Sequence, residues 1–162
     1  MHIPPRRAAT LAILLLSAAA LGGCGSGKVR RVSEPAANIQ QLTVNVDGSW
    51  SVQVRLDNFS SVPMVFDRID LRMAVEGQPA VALQATPALS IGPEAADVVT
   101  VQAQPPGGAR IAVADALARG RGIDYHLEGT LAATPEKGSS RDYKVERDNA
   151  LNPVPGLAGV LR

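Results

Sequence analysis

From position 39 onward, apolar and polar residues alternate along the chain in short segments. A period of two is typical of β-strands that bury one face and expose the other to water. The most regular segment runs from Trp50 to Leu56 and includes the polar residues Ser51, Gln53 and Arg55. Its apolar residues would share one buried face: Trp50, Val52, Val54 and Leu56. We therefore predict a half-buried strand with Trp50 in the core and not on a ligand-stacking surface.

A hairpin is predicted in front of this strand. Leu42, Val44 and Val46 alternate with polar residues, and Asp47-Gly48 follows them. This dipeptide tolerates positive φ and is typical of a two-residue type I′ turn. We expect the turn to join a strand at 39–46 to the strand at 50–56, with Val46 on the buried face.

The same alternation recurs further along the chain, between turns that are rich in glycine and proline. The predicted later strands are 69–75, 80–83, 98–101, 123–131 and one that begins at Tyr143. Pro87 and Pro93 frame 88–91, which can therefore be a brief edge strand at most. About seven short strands with a single helix among them predict an all-β fold, arranged as a two-sheet antiparallel β-sandwich.

The helix is predicted at Ala109–Arg119. Gly120 follows it, at the position where a left-handed residue commonly ends a helix. The apolar residues expected to face the core are Ile111, Val113, Ala114 and Leu117. A helix of this length does not persist alone in water, so it must pack against the sheets.

The N-terminus has a different pattern. Arg6 and Arg7 precede a short apolar run at 10–21, which is the anatomy of a secretory signal peptide. The run is too short to span a bilayer comfortably. It ends in Leu21-Gly22-Gly23-Cys24, which resembles the lipobox of bacterial lipoproteins and contains the only cysteine of the chain. The lipobox residues are Leu21, Gly22 and Gly23, with Cys24 as the lipidation site.

This resemblance implies a thioether-linked diacylglycerol on Cys24, cleavage before Cys24 and acylation of the new amine. Several buried acyl chains anchor a protein stably, whereas one holds it reversibly. Gly25 stands where an aspartate would favour inner-membrane retention in enteric lipoproteins, so the resemblance favours the periplasmic face of the outer membrane. Two alternatives are a plain buried thiol after a cleaved signal and a twin-arginine signal at Arg6-Arg7.

The predicted organisation has four parts: a lipoprotein signal peptide at 1–23, a flexible tether at 24–37, a β-sandwich domain at 38–150 and an irregular tail at 151–162. The tether would span roughly 20 Å. Its cations Lys28, Arg30 and Arg31 could rest on anionic headgroups or belong to a solvated linker. The apolar tail could close over the sandwich or dock a partner.

Composition excludes several function classes. Cleavage after residue 23 of the 162 leaves 139 residues, with 14 basic and 15 acidic side chains. The mature chain therefore has no basic field for nucleic acid. With Cys24 lipidated, no thiol is left for disulfides, thiolate metal sites or nucleophilic catalysis. His126 is the only histidine after processing, which argues against most zinc sites and histidine-dependent catalytic sets.

Asp124, His126 and Glu128 would project from the same polar face of one strand. A histidine flanked by carboxylates can bind a metal or act as a general base. However, alternate residues of a strand are about 7 Å apart, which is a loose arrangement for one small ion. A solvated strand face explains the same residues. We therefore predict no catalytic residues, no metal site and no cofactor other than the covalent lipid.

From Trp50 to Leu131, the order of motifs resembles the group 2 late-embryogenesis-abundant family, whose unit is the water-stress and hypersensitive-response (WHy) domain. The matching pieces are Val52 to Asn58, Val62-Pro63-Met64, Ile69 to Gly77, Val98 to Val101, Ile111 to Leu117 and Tyr125 to Leu131. Phe59 replaces the family's proline after Asn58, and Leu83 replaces an expected glycine. The resemblance implies an immunoglobulin/fibronectin-III-like sandwich with a helix and a role in desiccation or envelope stress.

Together these observations predict a non-enzymatic lipoprotein that faces the periplasm and acts as a stress-protective structural module. The alternative is an adaptor or accessory subunit that binds an envelope protein or a lipid through its loops or its tail. Both hypotheses have the membrane as a partner through the lipid anchor, and neither involves nucleic acid.

Overall fold

The computed structural model describes residues 30–162, which form nine strands and one helix. In chain order they are β1 (Ala36–Val44), β2 (Trp50–Asn58), β3 (Met64–Val75), β4 (Val81–Ala85), β5 (Leu89–Ile91), β6 (Ala95–Ala103), α1 (Gly107–Ala118), β7 (Ile123–Pro135), β8 (Arg141–Leu151) and β9 (Val160–Leu161). The lipobox residues Leu21, Gly22, Gly23 and Cys24 lie outside the described residues, as do the rest of the signal peptide and the first part of the tether, 24–29.

The strands form two sheets in which every pairing is antiparallel. One sheet has four strands in the order β6-β2-β1-β9. The other has the order β4-β3-β7-β8, and β5 pairs with β3 beside β4. The prediction of an all-β, antiparallel fold with one helix is therefore confirmed.

A single hydrophobic core lies between the sheets. All four apolar residues predicted for β2 are fully buried, including Trp50, which is a core residue as expected. In the other sheet, Leu71 on β3 and Leu127 on β7 are equally buried. A bulge at Asp67 shifts the register of β3 between Phe66 and Arg68. It keeps apolar residues on the inner face on both sides of the irregularity.

The hairpin prediction is correct for the strands and wrong for the turn. Five residues, and not two, connect β1 to β2, because the ladder ends at the pair Val44–Trp50. The amide of Gly48 donates to the Asn45 carbonyl at 3.0 Å, and Gly48 has a φ of +81°. Val46 is consequently in the connection and fully exposed, not buried. Asp47-Gly48 suits this longer turn as well as a type I′ turn, because both need a glycine with a positive φ.

The connection is held by Asp47. Its carboxylate accepts hydrogen bonds from the Ser49 amide at 2.9 Å and the Ser49 hydroxyl at 2.6 Å. These bonds favour the charged form and lower the pKa of Asp47. An aspartate that bonds to the backbone two residues later is a common turn former.

The helix prediction is correct in position and half correct in its buried face, since Val113 is buried and Leu117 packs against the core as predicted, but Ile111 and Ala114 do not. The amide of Gly120, with a φ of +64°, donates to the Leu117 carbonyl, and the Arg121 amide donates to the Ala116 carbonyl. This pair of bonds is the Schellman ending expected from a glycine there. The residues that α1 buries are Ala109, Val113 and Ala116. Ile111 is 72% exposed and Ala114 is exposed, because the apolar residues of α1 lie on more than one side.

Both ends of the described chain are more structured than the sequence indicates. β1 begins at Ala36, inside the predicted tether. The tail predicted to be irregular contains β9, which pairs with β1 at Leu42 and Thr43. Leu161 of β9 is fully buried, whereas Leu157 is 53% exposed. No helix among residues 30–162 is long and apolar enough to cross a membrane.

Candidate functional site

The outer face of the five-stranded sheet carries the side chains that the sequence analysis singled out. Asp124, His126 and Glu128 are all on this face of β7, as their spacing predicts. The neighbouring strand places Asp148 directly opposite His126 and Glu146 opposite Glu128. The three residues therefore share a face but meet different partners.

His126 pairs with Asp148 across the β7–β8 ladder. Its Nδ1 lies 2.7 Å from Oδ1 of Asp148, and the imidazole side chain is 40% exposed. The hydrogen bond to Asp148 stabilises the protonated imidazole and raises its pKa above 6.5. Desolvation is the second-largest effect and lowers the pKa, while the charges of Asp148, Glu128 and Glu146 raise it.

The two acidic residues expected to flank His126 make other contacts, Glu128 through its carboxylate and Asp124 through its backbone amide. Glu128 accepts a hydrogen bond from Nη2 of Arg72 at 2.6 Å. Asp124 donates its backbone amide to Glu76 at 3.0 Å. Among residues 30–162, no group of three histidine, cysteine or carboxylate side chains is arranged to hold a metal ion.

An open groove of about 610 Å³ runs past His126. Its walls are Ala74, Glu76, Gly77, Asp124, Tyr125, His126, Asp148, Asn149 and Ala150. No serine, threonine, cysteine or lysine is among them. Because the pKa of His126 is raised, the imidazole beside Asp148 keeps its proton to a higher pH than a free histidine does.

The rest of this outer face is a network of ion pairs between neighbouring strands. Arg68 pairs with Asp142 at 3.3 Å, and Gln84 donates to Asp70 at 3.1 Å. Lys144 and Glu146 are 2.5 Å apart on β8, which raises the pKa of Lys144 and lowers that of Glu146. β8 is an exposed edge, and charged edge strands resist pairing with other chains.

A second polar centre, which the sequence analysis did not identify as functional, lies at the end of β2. Asn58 is 1% exposed, and its amide nitrogen is near three carbonyl oxygens, of Val62 at 2.9 Å, Ile91 at 3.1 Å and Gly92 at 2.9 Å. Its side-chain oxygen accepts from the Ser60 amide at 2.9 Å. Asn58 ends the first piece of the family resemblance, which was the one sequence signal for it.

The connection after Asn58 holds the segment in front of β1. The Ser60 hydroxyl, fully buried, accepts from the Ser33 amide at 3.0 Å. The amide of Arg31 donates to the Ser61 hydroxyl at 2.8 Å, and the Ser61 amide donates to the Arg31 carbonyl at 3.0 Å. The part of the predicted flexible tether from Arg31 onward is thus bound to the domain, because polar groups of the connection satisfy its backbone.

Comparison with known proteins gives a family. The family model described as late embryogenesis abundant protein matches residues 53–146, from the middle of β2 to the middle of β8. No curated protein matches the sequence.

Several solved structures are similar in outline. A late embryogenesis abundant (LEA) protein is 15% identical, with 91% of this chain and 86% of that chain covered and a TM-score of 0.47. The ApaA protein from Bordetella pertussis is 12% identical, covering 80% of this chain and 99% of that chain, with a TM-score of 0.47. A protein from Archaeoglobus fulgidus is 11% identical, covering 76% and 98%, with a TM-score of 0.44.

The matched stretch includes the inner residues of both sheets and Asn58, and it is more than half of the chain. The chain therefore belongs to the late embryogenesis abundant protein family, as a stress-related protein of that type and not a member of a known enzyme class.

Proposed function

We propose that the protein is a membrane-anchored lipoprotein whose domain acts as a non-enzymatic, stress-protective module on the periplasmic face of the outer membrane. One observation carries the proposal: an apolar run that ends in Leu21-Gly22-Gly23-Cys24 stands N-terminal to a late-embryogenesis-abundant domain, which the family model matches from residue 53. The anchor would keep the domain at the membrane, and the family supplies the link to stress.

The surface of the domain supports a role that depends on staying folded and separate as water is withdrawn. The outer face of the five-stranded sheet is ion-paired, and β8 protects its edge with charge. Loss of water concentrates proteins and favours edge-to-edge pairing of exposed strands. A charged edge suits a protein that must survive such conditions.

We further infer that the domain is of the WHy type and that its sandwich is arranged like a fibronectin type III domain. The order of strands supports this: β1, β2 and β6 are neighbours in one sheet, and β3, β7 and β8 are neighbours in the other. The residues Tyr125, Leu127, Gly129 and Leu131 of the resemblance all lie on β7, in the centre of the second sheet.

The anchor can be tested by labelling bacteria that express the full chain with radioactive palmitate. We expect the label in the mature wild-type protein and none in Cys24→Ser, because the thioether requires the sulfur atom. Ser26→Ala, two residues away, should be labelled like the wild type. Wild-type protein that carries no label, or that is recovered in the aqueous fraction, would refute the lipoprotein assignment.

The protective role can be tested in a deletion strain complemented with either wild type or Cys24→Ser. We expect the wild type to restore survival after drying and osmotic shock, and the unanchored variant to restore less. Equal survival of the deletion strain and its parent under drying, osmotic shock and envelope stress would contradict the protective role, whatever the palmitate result.

The adaptor function is a second candidate, which the distribution of exposed apolar side chains favours. Val46, Ile111 and Leu157 are exposed, and all belong to segments near the end of the sandwich where β1 finishes. The Gly159 carbonyl, for example, accepts from the Val44 amide at 2.9 Å. Crosslinking in intact cells should recover one stoichiometric partner, and Val46→Ser/Ile111→Ser/Leu157→Ser should lose it. An unchanged crosslinking pattern would reject this function.

A further inference from the structure

The described chain begins beside a groove lined by cations. The groove measures about 320 Å³ and lies at the end of the sandwich where β1 starts. Arg30, Lys137 and Arg141 line it together with Val32, Pro135, Gly138 and Ser139. No carboxylate is among these lining residues. Cations from the N-terminal segment, from the β7–β8 turn and from β8 thus converge on one concave surface.

These three cations differ from most others in the described chain because no carboxylate neutralises them. Seven arginine and lysine side chains among residues 30–162 form ion pairs: Arg31, Arg55, Arg68, Arg72, Arg119, Arg121 and Lys144. Those without an acidic partner are Arg30, Arg110, Lys137, Arg141, Arg147 and Arg162. Half of this second set lines the single groove.

None of the acidic residues at this end lines the groove, although Asp67 and Asp142 line an adjoining pocket that Arg141 also borders. Asp142 pairs with Arg68 at 3.3 Å, and Asp67 accepts a hydrogen bond from the Thr134 hydroxyl at 2.7 Å. Glu94 is bound to Arg31 at 3.1 Å. Glu136 precedes Lys137 and is exposed, but it is not part of the lining. The positive charge of the groove is therefore available to an anion from outside the chain.

Exposed apolar side chains stand at the same end. Phe59 is 51% exposed, and its carbonyl accepts from Nη2 of Arg31 at 3.1 Å. Val32, which lines the groove, is 44% exposed. Apolar side chains beside cations are typical of surfaces that lie against a membrane interface.

The chain in front of the groove leads directly to the predicted anchor. Six residue steps separate Arg30 from Cys24, and a fully extended chain of that length spans about 21 Å at most. An anchor on Cys24 would therefore hold this end of the domain, and not the opposite one, close to the lipid headgroups. At such a short tether length the local concentration of headgroups is high.

We propose that the end of the domain carrying Arg30, Lys137, Arg141, Val32 and Phe59 docks on the membrane, with the groove binding the phosphate of an anionic phospholipid. The inference rests on the proposed lipid anchor. It adds a fixed orientation: the end with the groove faces the bilayer, and the end with Val46 faces away from it. The cations would act through their charge, so the docking must weaken as salt screens them.

The test uses the mature lipidated protein, extracted from membranes and reconstituted into vesicles of phosphatidylethanolamine and phosphatidylglycerol. Two single-cysteine variants carry a fluorophore, Ala95→Cys at the docking end and Val46→Cys at the other, while the Cys24 sulfur is blocked by its thioether. A quencher on the lipid headgroups reports which label is close to the surface. We expect stronger quenching at position 95 than at position 46.

The decisive comparison is between two triple variants that remove the same charge. Arg30→Gln/Lys137→Gln/Arg141→Gln should weaken docking on the order of a hundredfold, since each cation near an anionic surface contributes about a factor of five. Arg110→Gln/Arg147→Gln/Arg162→Gln removes the other unpaired cations and should leave the difference between the two labels intact. Equal urea midpoints of the two triples would confirm that both are folded.

In phosphatidylcholine vesicles and in about 1 M salt, where the screening length is about 3 Å, the difference should shrink to the smaller one that the short tether alone produces. A difference of the same size in phosphatidylcholine would overturn the docking inference. Equal quenching of the two labels in a protein that carries palmitate would overturn the docking inference and leave the anchor intact. Loss of docking in both triple variants would overturn the role of the groove. Failure of the wild-type protein to incorporate palmitate would refute the anchor itself, and the palmitate labelling experiment measures this separately from docking.

Discussion

Asn58 is a residue whose importance comes from where its partners are, not from its own chemistry. Its side chain joins the end of β2 to the connection at 59–63 and to the carbonyls at the end of β5, more than 30 residues away. The contacts to the Val62 and Ile91 carbonyls are buried and the contact to the Gly92 carbonyl is partly buried, and a buried carbonyl without a partner costs free energy.

Replacing Asn58 with Ala should lower the free energy of unfolding by about 3 kcal/mol, because it leaves three carbonyls and the Ser60 amide without a partner. The urea midpoint at 25 °C measures the loss, with an unchanged slope. Asn38→Ala, a similar change on the half-buried outer face of β1, is the control and should be nearly neutral. Equal midpoints for the two variants would contradict the role of Asn58.

His126 makes a pH-dependent contribution, and its direction follows from the raised pKa. The folded protein holds the proton more tightly than the unfolded chain, so the contribution is complete below pH 6.5. It is lost as pH rises through the folded pKa. We expect His126 to titrate above 6.5 by NMR and Asp148→Asn to bring the pKa back down. The control is Asp142→Asn, which removes a carboxylate that pairs with Arg68. This variant should leave the pKa of His126 unchanged. A His126 pKa that Asp148→Asn does not change would show that the pair is absent in solution.

β7 is the element that relates sequence and fold most directly. It lies between β3 and β8 and contains the Tyr125 to Leu131 motif of the resemblance. Gly129 occupies the centre of this motif with a φ of +141°, and a Cβ there would be 2.2 Å from the Asp70 carbonyl oxygen. The backbones of β3 and β7 can approach this closely only because no side chain separates them.

Gly129→Ala should therefore destabilise the protein by about 4 kcal/mol or prevent folding, since both the dihedral angle and the backbone of β3 would have to change. Gly92→Ala is the matched control, because a Cβ at Gly92 has no atom within 4 Å. It should keep or slightly raise the stability, by up to about 1 kcal/mol. Thermal unfolding of both variants distinguishes them, and a normal melting temperature for Gly129→Ala would contradict the steric argument.

Local patterns predicted the elements well and their mutual arrangement poorly. The period of two found β2, β3 and β7 because each buries one face, and Gly120 marked the helix end because its φ must be positive. The buried face of α1 was predicted only in part: Val113 and Leu117 were identified, whereas Ala109 and Ala116 were missed because small residues carry little signal. β9 was missed because two residues cannot show a period.

Of the candidate site, the sequence could predict only the features that depend on a single strand, β7. The shared face of Asp124, His126 and Glu128 follows from their spacing. The engagement of His126 with Asp148 and of Glu128 with Arg72 depends on the registers of β8 and β3, which the local pattern does not contain. The contacts of Asn58 are equally non-local.

At the scale of the whole molecule, the tail closes the four-stranded sheet. Leu161 is fully buried in the core, and β9 covers part of the edge of β1. Of the two alternatives that its composition left open, closing over the sandwich holds for Leu161, while docking of a partner through the exposed Leu157 stays a prediction.

Leu161→Ala should lower the free energy of unfolding by about 3 kcal/mol, through lost burial and the cavity that remains. Leu157→Ala makes the same chemical change four residues earlier and should alter the stability by less than about 0.5 kcal/mol. Urea unfolding of the two variants is the measurement. Similar losses for both would mean that the tail does not dock as described.

The contacts between Arg31 and Ser61 and between Ser33 and Ser60 lie in line with the start of β1. If the membrane pulls on the N-terminus while a crowded periplasm drags on the domain, the tension reaches these bonds first and then β1. The ladder bonds of β1 run across its axis to β2, so a pull along the strand loads many of them at once. A pull along β1 from its N-terminus would therefore load this ladder in shear, whereas a peeling force would break one bond at a time.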